Sequence, residues 1–112
     1  MRSLANDIRE GCKLSKFKVK HGCSRSDGGH CAMGAAVLYL NGIETGTFSG
    51  IVRRNWKEQH ALDIVNKVYD MNDKTDLSRE KIADWVEQQE WERLGIPTRA
   101  MKAELAKEQV KV

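Results

Sequence analysis

Along the chain, apolar positions recur at helical spacing in several stretches and alternate in one. From Ser3 to Leu14, Leu4, Ile8 and Cys12 fall four residues apart, a narrow stripe on one face of a helix. Ser3 is placed to N-cap it, and Gly11 weakens it near its end. Between Ser15 and His21 the period drops to two. Phe17 and Val19 alternate with Lys16, Lys18 and Lys20, the pattern of a short strand with a wet, lysine-rich face, or of a basic loop. His21 to Gly29 is turn-rich. From His30 to Leu40, Met33, Ala36, Val37 and Leu40 at i, i+3, i+4 and i+7 predict a second helix. Gly34, Ala35 and Ala36 keep it thin, so that a neighbour packs closely, and Asn41-Gly42 stops it.

Asn41 to Gly50 reads as a loop with an extended piece over Thr45 to Phe48. A third helix follows from Ile51 or Trp56 to Met71, its inner face made of Leu62, Val65, Val68 and Tyr69, and Asn72-Asp73 ends it. Ser78 N-caps a fourth, with Glu80 suited to its positive pole and Ile82, Trp85, Val86 and Gln89 on its inner face. Gly95 and Pro97 close that helix. The last segment, Thr98 to Val110, has strong helix propensity but a thin stripe of Met101, Leu105 and Val110. It reads as a docked helix, a frayed tail or a contact helix for a partner. The expected fold is therefore mainly α: a compact bundle of four or five helices with at most a small two-stranded β element near Phe17 to Val19 and Thr45 to Phe48. Residues 1–95 form a single helical domain and 96–112 a C-terminal helix. The expected core is Leu4, Ile8, Met33, Val37, Leu40, Leu62, Val65, Tyr69, Ile82, Trp85 and Val86.

A chain of 112 residues is one domain's worth. Its net charge of +3 excludes a strongly basic nucleic-acid coat and leaves local basic patches open. Charges interrupt every apolar run near the first residue, and the longest apolar run, Ala35 to Leu40, is far short of the roughly 20 residues that span a bilayer. These features predict a soluble cytoplasmic protein with no membrane role. The cysteines are Cys12, Cys23 and Cys31, an odd number that points to free thiols in a reducing compartment.

Two short motifs stand together. Cys31-Ala32-Met33-Gly34-Ala35 opens the second helix, and Asn72-Asp73 is followed by Ser78-Arg79-Glu80-Lys81-Ile82 at the start of the fourth. This pattern resembles a family of small, functionally uncharacterised proteins of bacteria and phages, with a C-A-x-G-A helix start, an N-D turn and a T-x-E-x-[VI] helix start. Ser78 stands where the family usually has Thr, and Met71 where an aromatic residue commonly precedes Asn-Asp. The resemblance implies a compact helical domain of bacterial or phage origin and assigns no activity. The bland physical account of the same residues is a set of turn, cap and close-packing positions.

Four chemistries are open. Cys31 at a helix N-terminus suits a thiolate, and with His60 as base and Asn72 or Asp73 as orienting group the chain order matches that of papain-like cysteine hydrolases. Against this, His60 falls in a helical pattern with no sheet to carry it. Cys12, His21, Cys23, His30 and Cys31 lie within 20 residues and have donors that suit zinc. No C-x-x-C pair is present, and adjacent His30-Cys31 is awkward for tetrahedral ligation. Residues 1–25 carry seven Lys or Arg against Asp7 and Glu10, a net +5, while the remainder is −2. Within that patch Lys13, Lys16, Lys18, Lys20 and Arg25, with Arg53, Arg54 and Trp56 further on, are candidates for phosphate contact and base stacking. Lastly, Trp91 lies off the main stripe of the fourth helix and pairs with Met101 and Leu105 either as packing under the last helix or as a partner-binding surface. The preferred reading is a small non-enzymatic accessory protein that binds a protein partner and needs no cofactor. Nucleic-acid binding stands second and a Cys31 hydrolase third.

Overall fold

The structure is a computed structural model that describes residues 2–22, 27–41, 43, 46–58, 60 and 62–110; the side chains of Leu62, Gln109 and Val110 lie outside the description. In chain order, α1 is Leu4–Leu14, β1 Phe17–Lys18, β2 Gly29–His30, α2 Ala32–Asn41 and α3 Phe48–Val52. A π-helical turn, Arg53–Lys57, continues α3, and then come α4 (Leu62–Lys74), α5 (Arg79–Leu94) and α6 (Arg99–Val110). The architecture is mainly α with a small β element, as the periodicity implies. It has one more helix than expected because the third is broken: α3 and its π turn stop before His60, and α4 restarts at Leu62.

The β element also differs. Phe17–Lys18 pairs in parallel with Gly29–His30, in register Phe17 with Gly29 and Lys18 with His30. It does not pair with Thr45 to Phe48, where Thr45 lies outside the described residues and Phe48 opens α3. The short ladder ties the end of α1 to the start of α2.

Caps explain most helix boundaries. The Ser3 hydroxyl accepts from the Asn6 N–H at 3.1 Å, and the Ser78 hydroxyl from the Lys81 N–H at 3.1 Å. α2 is capped partly from another element. The Cys31 sulfur accepts from the Gly34 N–H at 3.2 Å, and the Asn72 side-chain oxygen, from α4, accepts from the Ala32 N–H at 3.0 Å. Asn72 and Asp73 therefore do not end α4, which runs on to Lys74. They reach back: the Asn72 amide donates to the Val19 carbonyl at 2.8 Å, and an Asp73 oxygen accepts from the His21 N–H at 2.9 Å.

The core lies between α1, α2, α4 and α5. Leu4, Ile8, Met33, Val37, Leu40, Val65, Ile82 and Val86 are buried in it, and Tyr69 and Trp85 are half-buried against it. Ile51, Val52, Trp56, Ile64 and Val68 complete it. α1 lies so close to α2 that a Cβ on Gly11 would overlap the Ala35 carbonyl. The small residues of α2 thus receive a neighbour, and Gly11 is the point of contact.

Beneath α1 lies a buried polar layer. Glu90 of α5 is 1% exposed. Its carboxylate accepts from the Ser3 hydroxyl (2.8 Å), the Leu4 N–H (2.6 Å) and the Ala5 N–H (3.3 Å), and meets His60 Nε2 at 2.6 Å. It serves as the N-terminal anion of α1, supplied from another helix. Asp7, also buried, accepts from Trp56 Nε1 at 3.1 Å and Arg2 Nε at 2.8 Å. Burial raises the Asp7 carboxyl above its ordinary value, and these two donors only partly offset that.

Candidate functional site

α5 ends at Gly95, whose φ of 69° lies in the left-handed region glycine tolerates. Its N–H and that of Ile96 bond back to the carbonyls of Trp91 and Glu90, each at 3.2 Å. Pro97 then turns the chain, and Thr98 caps α6 by accepting from the Met101 N–H at 3.3 Å. The first turn of α6 is held from α5: Glu87 accepts from the Arg99 N–H at 2.9 Å, and the Arg99 guanidinium lies 3.5 Å from Asp84 and 3.6 Å from Glu87. The same two carboxylates hold Arg9 of α1, which is buried, at 2.8 Å (Asp84) and 3.1 Å (Glu87). Burial pushes the Glu87 carboxyl up, but the hydrogen bonds from Arg9 and the Arg99 N–H outweigh it, and its pKa lies below the ordinary value.

Beyond that anchored base, α6 leaves the body. Met101 is half-buried, and every side chain described from Lys102 to Glu108 is exposed. Trp91, Pro97, Ala100, Met101 and Leu105 form an open apolar groove of about 470 Å³, rimmed by Glu104 and Glu108. Trp91 remains 41% exposed and Leu105 53%, so the helix does not bury the tryptophan. The structure thus brings together all three residues singled out as a partner surface. Pro97, Glu104 and Glu108 join them without having been anticipated from sequence; the signal for the glutamates was their helical spacing from Met101 and Leu105.

The residues of the other readings lie elsewhere. Cys31 is 2% exposed and its sulfur caps α2. His60 is a buried partner of Glu90, and Asn72 and Asp73 are engaged with the backbone of Ala32, Val19 and His21. Among the described residues Cys31 and His60 are not brought together as a hydrogen-bonded pair. Among the described residues no group of three or more His, Cys, Asp or Glu is arranged to hold a metal; Cys23 lies outside them. Burial pushes the Cys12 thiol up, away from ready ionisation. His21 is exposed on its loop, and the His30 ring places Nδ1 3.1 Å from the Ser15 hydroxyl.

The basic patch is largely spent on the protein itself. Lys18 donates to the carbonyls of Thr75 (3.3 Å) and Leu77 (2.6 Å), Lys20 pairs with Asp76 at 2.9 Å, and Lys13 with Glu10 at 2.9 Å. Lys16, Arg53 and Arg54 are exposed, and Arg25 lies outside the described residues. Trp56, proposed to stack on a base, is wholly buried: the π turn carries it inward, where its indole N–H meets Asp7.

Among the described residues no helix is long and apolar enough to cross a membrane. Comparison with protein-family models, curated proteins and solved structures finds no match to this chain.

Proposed function

We propose that this protein is a small non-enzymatic accessory protein, of the bacterial or phage kind that its motifs resemble, and that it works by binding a protein partner in the groove between α5 and α6. The observation that carries this reading is an apolar groove that is held in shape yet left open. Gly95, Pro97, Thr98, Glu87 and Arg99 fix where α6 begins, while Trp91 and Leu105 stay exposed. A tryptophan in a preformed trough is a typical interface anchor, and a groove ordered in advance lowers the entropic cost of docking. Nor is a 12-residue helix exposed over most of its length self-sufficient in water, where isolated helices shorter than about 12–15 residues are marginal. Cover from a partner supplies what α6 lacks.

The test is site-specific photo-cross-linking in the native host. Benzoylphenylalanine at Leu105 is expected to capture one discrete protein, with yield lost on Trp91→Ala. The same probe at Lys81, exposed on α5 away from the groove, is expected to capture none. Absence of an adduct at Leu105, or the same adducts from both positions, overturns the reading.

A further inference from the structure

The groove carries charge of one sign. Among the described residues its polar lining is Glu104 and Glu108, and neither Lys nor Arg lines it. The two glutamates stand i, i+4 on α6. Glu104 is only loosely paired, 3.6 Å from Lys107 with both side chains about 70% exposed, and Glu108 has no ion-pair partner among the described residues. Glu108 lies in the last turn of α6, at the negative pole of its dipole, which adds to the same sign.

What fills an apolar trough between two helices and answers carboxylates on its rim is a helix with cations beside its apolar stripe. A second copy of this chain is a poorer occupant. Two-fold pairing of the grooves would bring Glu104 and Glu108 of both copies into one apolar interface, desolvating like charges together. We infer that the partner presents a cationic amphipathic helix, its apolar side chains at i and i+3 or i+4 seated on Trp91, Met101 and Leu105 and its Lys or Arg side chains meeting Glu104 and Glu108. This rests on the protein-binding reading and adds the chemical class of the partner.

The probes are two synthetic helical peptides of about five turns. They share one leucine stripe and carry either lysine or glutamate on the polar face. Each is titrated into the full-length protein and followed by amide NMR shifts. The lysine peptide is expected to shift Trp91 and residues 97–108 and to bind roughly tenfold or more tighter than the glutamate peptide, with the gap closing at high salt. Glu104→Lys with Glu108→Lys, both at exposed positions and with folding checked by circular dichroism, is expected to reverse that preference. Equal binding of the two peptides, shifts centred elsewhere, no binding of either, or lysine-peptide affinity untouched by the charge reversal overturns the cationic class. A dimer on sedimentation that Trp91→Ala abolishes also overturns it, giving the groove to a second copy. A successful cross-link at Leu105 alongside any of these results keeps the docking site and rejects only the charge assignment; failure of the cross-link rejects both.

Discussion

At the scale of single residues, the fold turns on a few side chains whose importance lies in distant partners. Glu90 looks from sequence like one more charge in an acidic stretch, yet it is the anion at the N-terminus of α1, 86 positions from the Leu4 N–H it accepts. Its burial is tolerable because three donors and His60 surround it. Gly11 gives the clearest contest of effects. Helix propensity alone says that Gly11→Ala stabilises α1 by about 0.5–1 kcal/mol. Packing says the reverse, since the added Cβ meets the Ala35 backbone, which cannot yield as a flexible side chain would. Overpacking of this kind costs about 1–3 kcal/mol or more, so the net effect is destabilisation. Denaturant unfolding of Gly11→Ala is expected to show a lower midpoint; a midpoint equal to or above that of the parent means the close approach of α1 and α2 is not a real constraint.

At the scale of elements, the helices easiest to read were those whose caps and stripes lie within their own sequence. Ser3, Ser78 and Gly95 all act as local chemistry says they should. The third helix could not be read as two, because residues 58–61, between the π turn and α4, contain no glycine or proline to announce a break, and the π turn buries Trp56 against Asp7. Likewise Asn72 looked like a turn residue, whereas its amide joins α2, α4 and the segment after β1. α6 is a different case, an element placed by its first turn. Glu87 holds Arg9 and the Arg99 N–H, with Asp84 and Arg99 close by and Glu80 3.6 Å from Arg9. Its carboxyl titrates below the ordinary value of 4.5 in the folded protein. A depressed carboxyl pKa means that its contribution is fully present above the unfolded value and is lost as pH falls through the folded one. Amide exchange at Arg99 to Ala103 is therefore expected to be slow near neutrality relative to Glu87→Gln, and the difference is expected to vanish once the solution is acidic enough to protonate Glu87. Identical exchange in the two proteins at neutral pH means that Glu87 does not hold the base of α6.

At the scale of the whole molecule, the class of fold was legible because burial in a small helical domain writes its period into the sequence. The core positions of α1, α2 and α5 follow directly from that period. The candidate site was legible only as an ambiguity, since Met101 and Leu105 form the same stripe whether it is covered from inside or from outside, and only their position relative to Trp91 distinguishes the two. That position makes α6 an appendage of the core rather than a part of it, and a deletion experiment separates the two. A chain ending at Gly95 keeps every residue of the hydrophobic core and the Glu90 layer, and it keeps the carboxylates of Asp84 and Glu87 on Arg9. What it loses is the contacts of Arg99, itself 63% exposed, the Ile96 N–H bond to the Glu90 carbonyl, and the half-buried Ile96, Thr98 and Met101. Exposed ion pairs contribute about 0–1 kcal/mol, and in a domain of this size 1 kcal/mol moves Tm by roughly 4–8 °C. The truncated protein is expected to unfold in one cooperative transition within about that interval of the parent, with near-ultraviolet circular dichroism changed only by the altered surroundings of Trp91. It is also expected to lose the Leu105-dependent cross-linked partner entirely. Loss of cooperative unfolding would make α6 structural and remove the reason to read its open face as a docking surface, whereas a stable core that no longer binds assigns folding to residues 1–95 and recognition to the helix beyond them.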